Sequence, residues 1–420
     1  MNYIPIKKLI IFLSISLFVL TSSAQKLAPP ASSMVQKFYA INHQPFYWLT
    51  SEKDIRRATE WLDAIKSVEK QGYISIQPQT DLIRTVLLSK TTDFSMKERT
   101  DKQITELILN FLKNWQEGDI NFRYDEVRSP RDSVYINQLM NSKYKGAVSR
   151  IVSRLDCNDR DYQSLIKFMN DSIDVMDSLK YKKAILTMNY LRYLSVNHQS
   201  EYVVVNIPAA EARYYRNNSL SIKMKTVVGK KSKPTPTIAS YITNIITFPH
   251  WNVPHSIAVR ELLPKVQKNE NYLEQQNFEV VDANGNVVED SELNWKDYSE
   301  NNFPYFFRQS TGSGNALGVL KFNFQNPYSI FLHATSWQGV FSKDYRFLSH
   351  GCVRMEKPFE LAGAMLRGKI DIKKLKSGKK NTESKSIKLP HKVPVFIVYM
   401  PVKVDGKKVT FLNDVYSQIK

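Results

Sequence analysis

The chain contains the stretch Phe347-Leu348-Ser349-His350-Gly351-Cys352-Val353-Arg354-Met355. The segment from Cys352 to Met355 is a strand candidate, and strand alternation puts the side chains of Cys352 and Arg354 on the same face. A positive neighbour stabilises the thiolate, which is the actual nucleophile of a reactive cysteine. These surroundings therefore predict a reactive thiol at Cys352.

Gly351 adds a second chemical feature to this stretch. Because glycine has no Cβ, a substrate can come close to the backbone, and the amides of Gly351 and Cys352 are expected to be free to bind an oxyanion. One such preformed donor changes a rate by a factor of ~10² to 10³. The glycine is therefore nearly as informative as the thiol.

A nucleophilic cysteine needs a base within hydrogen-bond reach, and two histidines are candidates. His350 is close in sequence but has little freedom to meet Cys352 if the segment is extended. His333 ends a separate apolar strand candidate, Ser329 to His333, and meets Cys352 if the two strands are neighbours. From the residues alone, a Cys352–His333 pair is only suggested, since the presence of one cysteine and one histidine in a β domain is usually a coincidence.

Outward from this stretch, the C-terminal half has the two-residue period of strands. One helix is predicted around Pro358 to Leu366, and the Lys- and Ser-rich segment Lys373 to Lys388 is predicted to be a mobile surface loop. The other strand candidates are Tyr202–Val205, Leu220–Met224, Ile238–Ile246, Gly318–Phe324, Val393–Met400 and Val409–Leu412.

The N-terminal half, from Ser32 to about Asn197, has a helical pattern. Ser51 with Asp54 resembles a capping box before one apolar-periodic stretch, and Ser95 with Glu98 repeats the signal. A third helical stretch runs from Tyr162 to Tyr193. The fold class is therefore α+β, with a helical N-terminal scaffold followed by a mostly β catalytic domain. Residues 262–307, with a helical stretch and a turn at Asp282 to Gly285, are predicted to be an inserted subdomain, which is either a capping subdomain or a structural decoration.

The first 24 residues resemble a secretory signal peptide, with Lys7 and Lys8 before an apolar run that ends in Ser22-Ser23-Ala24. The apolar run is short of the ~20 residues that span a bilayer, so cleavage and no stable membrane span are expected. The predicted domains are 1–24, the signal peptide; 25–200, the helical scaffold; and 201–420, the catalytic domain.

The formal charge of +19 favours polyanionic partners, although a basic surface for solubility explains the total about as well. Export makes nucleic acid an improbable partner, and no zinc-finger spacing or RNP-type motif is present. With seven histidines, no His-Glu-x-x-His and no Cys-x-x-Cys, the sequence gives no support for a metal, and no cofactor is expected. Cys157 is predicted to be a buried small residue, although two cysteines allow one bridge.

A histidine followed by Ser349-His350-Gly351-Cys352 and Arg354 closely resembles the active-site signature of the YkuD-type L,D-transpeptidases. The resemblance extends over roughly residues 201–416. The segment from Trp251 to Pro254 is similar to the large periplasmic, YcbB-like subgroup, as are Asn315 to Gly318 with Lys321-Phe322 and Asp414 to Tyr416 near the end.

The resemblance implies the roles of the site residues. Cys352 would attack the third residue of a peptidoglycan stem and expel the terminal D-alanine, with His333 as base, held by a main-chain carbonyl near Ala334. Gly351 and Cys352, helped by His350, would bind the oxyanion, and Arg354 would stabilise the site or hold a carboxylate.

The resemblance also implies contacts with substrate at Trp251, Asn252, Ser349, Phe331 and Ala334. Ala334 stands where relatives often carry Gly or Asp, which is harmless if only its carbonyl is used. Phe331 stands where Tyr is common in the subgroup, so a hydroxyl is lost and the donor or acceptor preference differs.

The implied function is a periplasmic peptidoglycan L,D-transpeptidase that joins third-position residues of two tetrapeptide stems through a cysteine thioester. Other wall enzymes are candidate partners. Three alternatives stay open: an L,D-carboxypeptidase or endopeptidase, a protein-anchoring acyltransferase on the same site, and a non-catalytic wall-binding protein.

Overall fold

The computed structural model describes residues 32–69, 81, 83–87, 93–128, 131–143, 145–379 and 382–419. The predicted signal peptide lies outside these residues. Contacts divide the chain into two compact units. The first contains the described parts of 1–66, 75–112 and 132–151, and the second contains the described parts of 67–74, 113–131 and 152–420.

The first unit is helical, as the sequence predicts. Its helices, three of which continue into the second unit, are Ser33–Asn42, Glu52–Ser67, Phe94–Glu117, Asp132–Ser142 and Val148–Arg154. The Ser51–Asp54 cap is confirmed, because Ser51 Oγ accepts the amide of Asp54 at 3.2 Å. The buried carboxylate of Asp101 accepts the amides of Tyr47, Trp48 and Leu49 at 2.8 to 2.9 Å, which ties the incoming chain to the long helix.

The second unit begins with helices and continues into a large sheet. The third helical stretch of the sequence is two helices, Arg160–Ser172 and Ser178–Asn197. The break is explained by Asp177, whose side chain accepts the amide of Lys180 and starts a new helix. Because residues 113–131 and 152–200 belong to the same unit as the sheet, contacts do not divide the chain at residue 200, and the domain boundaries stay a prediction.

The strands of the large sheet are β1 (Tyr124–Asp125), β2 (Glu201–Asn206), β3 (Glu211–Arg216), β4 (Ser219–Gly229), β5 (Ile238–Thr247), β10 (Leu320–Phe324), β11 (Leu332–His333), β12 (Phe347–Ser349), β13 (Val353–Met355) and β14 (Lys385–Val398). Their order in the sheet is β1-β5-β10-β11-β13-β4-β3-β2-β14, with β12 beside β4. A further pairing between β14 and β5 closes this path on itself. A final hairpin joins β15 (Val402–Asp405) and β16 (Lys408–Phe411).

The core of this unit comes from alternating apolar residues on these strands and from one helix. Leu320, Leu332, Val353 and Val395 are buried in it. The predicted helix is confirmed as Pro358–Leu366. The α+β fold class, with a helical N-terminal region and a mostly β domain, is thereby confirmed.

An insertion between β5 and β10 has its own small sheet and core. The sheet has the order β6-β9-β7-β8, with β6 (Trp251–Asn252), β7 (Phe278–Val281), β8 (Val287–Val288) and β9 (Phe306–Gln309). The chain first forms His255–Ile257, a π-helical turn Ala258–Leu262, and the helices Leu263–Lys268 and Tyr272–Gln275. Because Val253, Ala258 and Val259 belong to its core, the insertion begins before the expected residue 262.

The prediction of a mobile loop from Lys373 to Lys388 is wrong for most of that segment. A helix runs over Ile372–Ser377, capped by the side chain of Asp371, and β14 begins at Lys385. Five lysines occupy exposed positions of these two elements, which explains why composition alone was misleading: Lys373, Lys374, Lys376, Lys385 and Lys388. Among the described residues, none of the helices has the length and apolar character that a bilayer crossing requires.

Candidate active site

The centre of the candidate site is a row of three basic side chains across adjacent strands. Lys321 of β10 pairs with His333 of β11, and His333 pairs in parallel register with Arg354 of β13. Directly paired residues project from the same face of a sheet. The long-range strand pairing therefore brings His333 and Arg354 together, as the sequence hypothesis requires.

Cys352 immediately precedes β13 and lies two residues before Arg354. Alternation places its side chain on the face that carries His333, one diagonal step away. The thiol is half-buried and donates to the main-chain oxygen of Ser329 at 3.6 Å. No hydrogen bond links Cys352 to His333 in the described part of the chain, so the resting thiol faces another acceptor.

Burial raises the pKa of the Cys352 thiol, while the main chain of Phe331 and the charges of Lys321 and Arg354 act in the opposite direction. The expected stabilisation of the thiolate by Arg354 is therefore present but outweighed by desolvation. At neutral pH, Cys352 is therefore expected to be an uncharged thiol.

His333 is buried, and its Nδ1 has no hydrogen-bond partner among the described residues. Burial, together with the charges of Arg354 and Lys321, lowers the pKa of His333 to about 3, against the raising effect of main-chain groups of Ala334 and Leu317. The imidazole is therefore neutral at ordinary pH, which is the form that accepts a proton.

The turn before Cys352 is fixed by the hydroxyl of Ser349. This buried hydroxyl donates to the carbonyl of Cys352 at 2.6 Å and accepts the amide of Gly351 at 3.1 Å. Thr235 Oγ1 also donates to the carbonyl of Gly351 at 2.7 Å. The hydroxyl of Ser349 is thus used within the loop, and its expected contact with substrate stays a prediction.

The same contact corrects the prediction for Gly351. Its amide is not free, since Ser349 occupies it, whereas the amide of Cys352 has no hydrogen bond to any described residue. The need for glycine has a second reason: φ is +119°, and an added Cβ would lie 3.0 Å from Cδ1 of Ile330. Of the two amides predicted to bind an oxyanion, that of Cys352 is the one without a partner among the described residues.

His350 contacts the insertion rather than the sulfur. Its Nε2 lies 2.6 Å from a carboxylate oxygen of Glu261, in the π-helical turn, and 3.5 Å from the ammonium of Lys230. The role of His350 as an oxyanion donor stays a prediction. Its observed position connects the turn that carries the cysteine to the inserted segment.

Phe331 and Ala334 flank His333 in different environments. The Phe331 ring lies edge-on to the imidazole, with 5.6 Å between ring centroids, and is exposed enough to stay a substrate-contact candidate. Ala334 is buried in the core, with an amide that donates to Leu320 at 2.9 Å. Gly318 approaches the Cβ of Ala334 closely, and the predicted contact of Ala334 with substrate stays a prediction.

Trp251 and Asn252 form β6, paired with β9 in the small sheet. Trp251 packs against the core of the insertion, and Asn252 is exposed. No contact joins either residue to Cys352 or His333 among the described residues, so their substrate-binding role stays a prediction.

Lys321 is the residue of this site that sequence reasoning missed. It was noted only as part of a resemblance, and its link to the site depends on the pairing of β10 with β11. Its ammonium lies 4.0 Å above the Phe331 ring. Burial lowers the pKa of Lys321, and Cys352 opposes this. The pairing of strands that are distant in sequence leaves no local pattern, so the sequence alone contained no signal for Lys321.

Cys157 is a free, buried thiol, only 6% exposed, in the core that joins the helices to the β15–β16 hairpin. Cys352 is also free, so no disulfide competes with its chemistry. Burial raises the pKa of Cys157, consistent with the inert, structural thiol that the sequence predicts.

The sequence profile described as the L,D-transpeptidase catalytic domain, YkuD, matches residues 200–382, which include the whole basic row and Cys352. Residues 200–382 thus match the YkuD-type L,D-transpeptidase domain. A Haemophilus influenzae protein, provisionally named an L,D-transpeptidase, is 28% identical over 330 residues. The match covers 76% of this chain and 66% of that protein, somewhat less than two thirds of its length.

Solved L,D-transpeptidases are also similar to part of the chain. An Enterococcus faecium enzyme shares 12% identity over 48% of this chain and 50% of its own, with a TM-score of 0.25. A Mycobacterium smegmatis enzyme shares 13% identity over 47% of this chain and 58% of its own, with a TM-score of 0.23. The assignment of the transpeptidase domain rests on the profile and the Haemophilus relative.

Proposed function

We propose that this protein is a peptidoglycan L,D-transpeptidase with Cys352 as nucleophile and His333 as general base. The parallel pairing of β11 with β13 supports this proposal most strongly, because it brings His333 and Arg354 side by side and puts Cys352 on their face, within the transpeptidase domain. A buried neutral imidazole beside a half-buried thiol is a suitable pair for proton transfer.

In the first step, the sulfur of Cys352 attacks the carbonyl of the third residue of a donor stem. The thiol proton passes to His333 and then to the amine of the departing D-alanine, so one amide bond breaks and one thioester bond forms. In the second step, a side-chain amine of another stem attacks the thioester. A new amide forms, and the thiol is regenerated.

The thiol must turn toward His333 before the first step. The contact to its present acceptor, the Ser329 carbonyl, is long at 3.6 Å, so little energy opposes a rotation about the Cα–Cβ bond. The amide of Cys352 then faces the developing oxyanion. Arg354, whose Nε is buried without a partner among the described residues, adds positive charge close to the sulfur.

Export to the periplasm is part of the proposal. The basic residues, apolar run and small residues at the start of the chain support it, and peptidoglycan stems are found there. The positive charge of the chain suits the carboxylates of the stems.

The deciding experiment incubates purified protein with tetrapeptide-bearing muropeptides and identifies the products by mass. Dimers joined through two third-position residues are expected from the wild type and not from Cys352→Ala. If the only products were shortened monomers, the protein would be a carboxypeptidase and the proposal would be wrong. If the substrate were unchanged, the protein would be a wall-binding protein.

A carbapenem supplies an independent probe of the acyl-enzyme. Intact mass should show a covalent adduct on the wild type and none on Cys352→Ala. His333→Ala should slow adduct formation far more than His350→Ala does, and the opposite ranking would assign the base to His350.

A further inference from the structure

The site contains two cations without an anionic partner. Across the described residues, neither Lys321 nor Arg354 has a salt bridge or a hydrogen bond to any carboxylate, and the group that would oppose both charges when ionised is Cys352. Arg213, a half-buried cation of the same unit, instead contacts Asp161 at 3.1 Å and Glu211 at 2.9 Å. A desolvated cation without a partner is costly unless an anion forms beside it.

The position of the Lys321 ammonium is fixed by the fold. Register with His333 sets its strand position, and the ring of Phe331 lies 4.0 Å below the ammonium. Phe331 in turn accepts the amide of Val353 through its carbonyl at 3.1 Å, next to Cys352. The aromatic ring therefore holds a positive charge near the sulfur without neutralising it.

We propose that Lys321 is a further residue of the site, one that stabilises the Cys352 sulfur as an anion. This inference rests on the proposed role of Cys352 as nucleophile. Lys321 and Arg354 flank His333, so both cations disfavour a protonated imidazole and favour a negative sulfur. Loss of the Lys321 charge should therefore raise the pKa of the thiol and the pKa of the imidazole together. A lysine that only packs against Phe331 would move neither.

The test measures alkylation of Cys352 by iodoacetamide as a function of pH, in a Cys157→Ala background so that one thiol reports. Below its pKa, the rate follows the thiolate fraction, and one pH unit corresponds to a factor of ten. Lys321→Gln should move the midpoint upward and slow the reaction near pH 7.5 by at least about threefold. The high-pH plateau should be equal or slightly higher, because a thiolate of higher pKa is the better nucleophile.

Two further variants separate charge from packing. Lys321→Arg keeps the charge and should reproduce the unsubstituted profile. Lys392→Gln removes a lysine whose ammonium lies 3.9 Å above the ring of Tyr241, a matched arrangement away from the sulfur, and should change nothing. An unchanged midpoint in Lys321→Gln, or equal shifts in the Gln and Arg variants, would overturn the inference.

The two proposals fail in different ways. Alkylation needs no peptidoglycan, so a shifted profile without cross-linked muropeptides would refute the transpeptidase function and leave the electrostatic role of Lys321 standing. Cross-linking by the wild type with an unshifted Lys321→Gln profile would do the opposite.

Discussion

Replacement of Ser349 by alanine tests how the loop before the nucleophile is held. The hydroxyl makes two contacts inside the loop, to the carbonyl of Cys352 at 2.6 Å and from the amide of Gly351 at 3.1 Å. Its side chain is only 2% exposed, so water cannot easily replace either contact. Ser349→Ala therefore leaves a carbonyl and an amide without their partner in the turn that positions the sulfur.

The expected magnitude follows from these two contacts. A buried polar group left unsatisfied costs about 1–3 kcal/mol, so the free energy of unfolding should fall by about 2–4 kcal/mol after partial relaxation. The functional effect should be larger than global stability suggests. A displacement of the sulfur by about 1 Å lowers a rate by up to ~100-fold, and carbapenem acylation should slow by about tenfold or more.

Urea unfolding and the rate of carbapenem acylation measure the two effects. Ser142→Ala is the matched control, since this buried hydroxyl makes one contact, to the carbonyl of Leu139 at 2.7 Å, in the helical unit. It should lose about half as much stability and keep its acylation rate. If Ser349→Ala retained both its unfolding free energy and its rate, the loop would not depend on this hydroxyl.

Three other outcomes are expected. Gly351→Ala should lose about 1–3 kcal/mol of stability in urea unfolding and react more slowly with a carbapenem, because φ is +119° and the space for a Cβ is tight. Gly285→Ala, at φ +84° in open space, isolates the effect of φ alone in the same unfolding assay. Glu261→Gln should lower the free energy of unfolding by under about 1 kcal/mol, since its pair with His350 is partly exposed. It should nevertheless slow carbapenem acylation a few-fold if the insertion orients the turn that carries Cys352. An unchanged acylation rate would exclude such coupling. The pKa of His333 is about 3 in the folded chain, so as pH falls the unfolded chain binds the extra proton first. The free energy of unfolding should therefore decrease as pH falls from about 6.5 to about 3. His333→Gln should weaken this pH dependence, and identical slopes of unfolding free energy against pH in urea unfolding would contradict it.

Elements with strong local signals could be predicted from the sequence. The helix Pro358–Leu366 has proline at its first position and apolar residues at helical spacing, and β2 is a continuous apolar run. The shared face of Cys352 and Arg354 follows from alternation. In each case the physical cause lies within a few residues, so no knowledge of partner strands was needed.

The contents of the site depended on pairings that local sequence does not encode. Lys321 reaches the site because β10 lies antiparallel to β11, and Ala334 is buried because Gly318 approaches it. The hydroxyl of Ser349 turns inward to two main-chain groups, whereas the sequence shows only a polar residue at this position. Register and close backbone approach decide all three, and both are properties of the folded chain.

The charge pattern also constrains the first step of the proposed mechanism. A resting thiolate–imidazolium pair is disfavoured on both sides, by burial at Cys352 and by the cations around His333. Because protonated His333 would lie between Lys321 and Arg354, the proton should pass on quickly to the leaving amine, while the same two cations favour negative charge on sulfur. Deprotonation is then coupled to attack on a bound carbonyl. Until a substrate is present the sulfur stays a neutral thiol, the form least reactive toward oxidants.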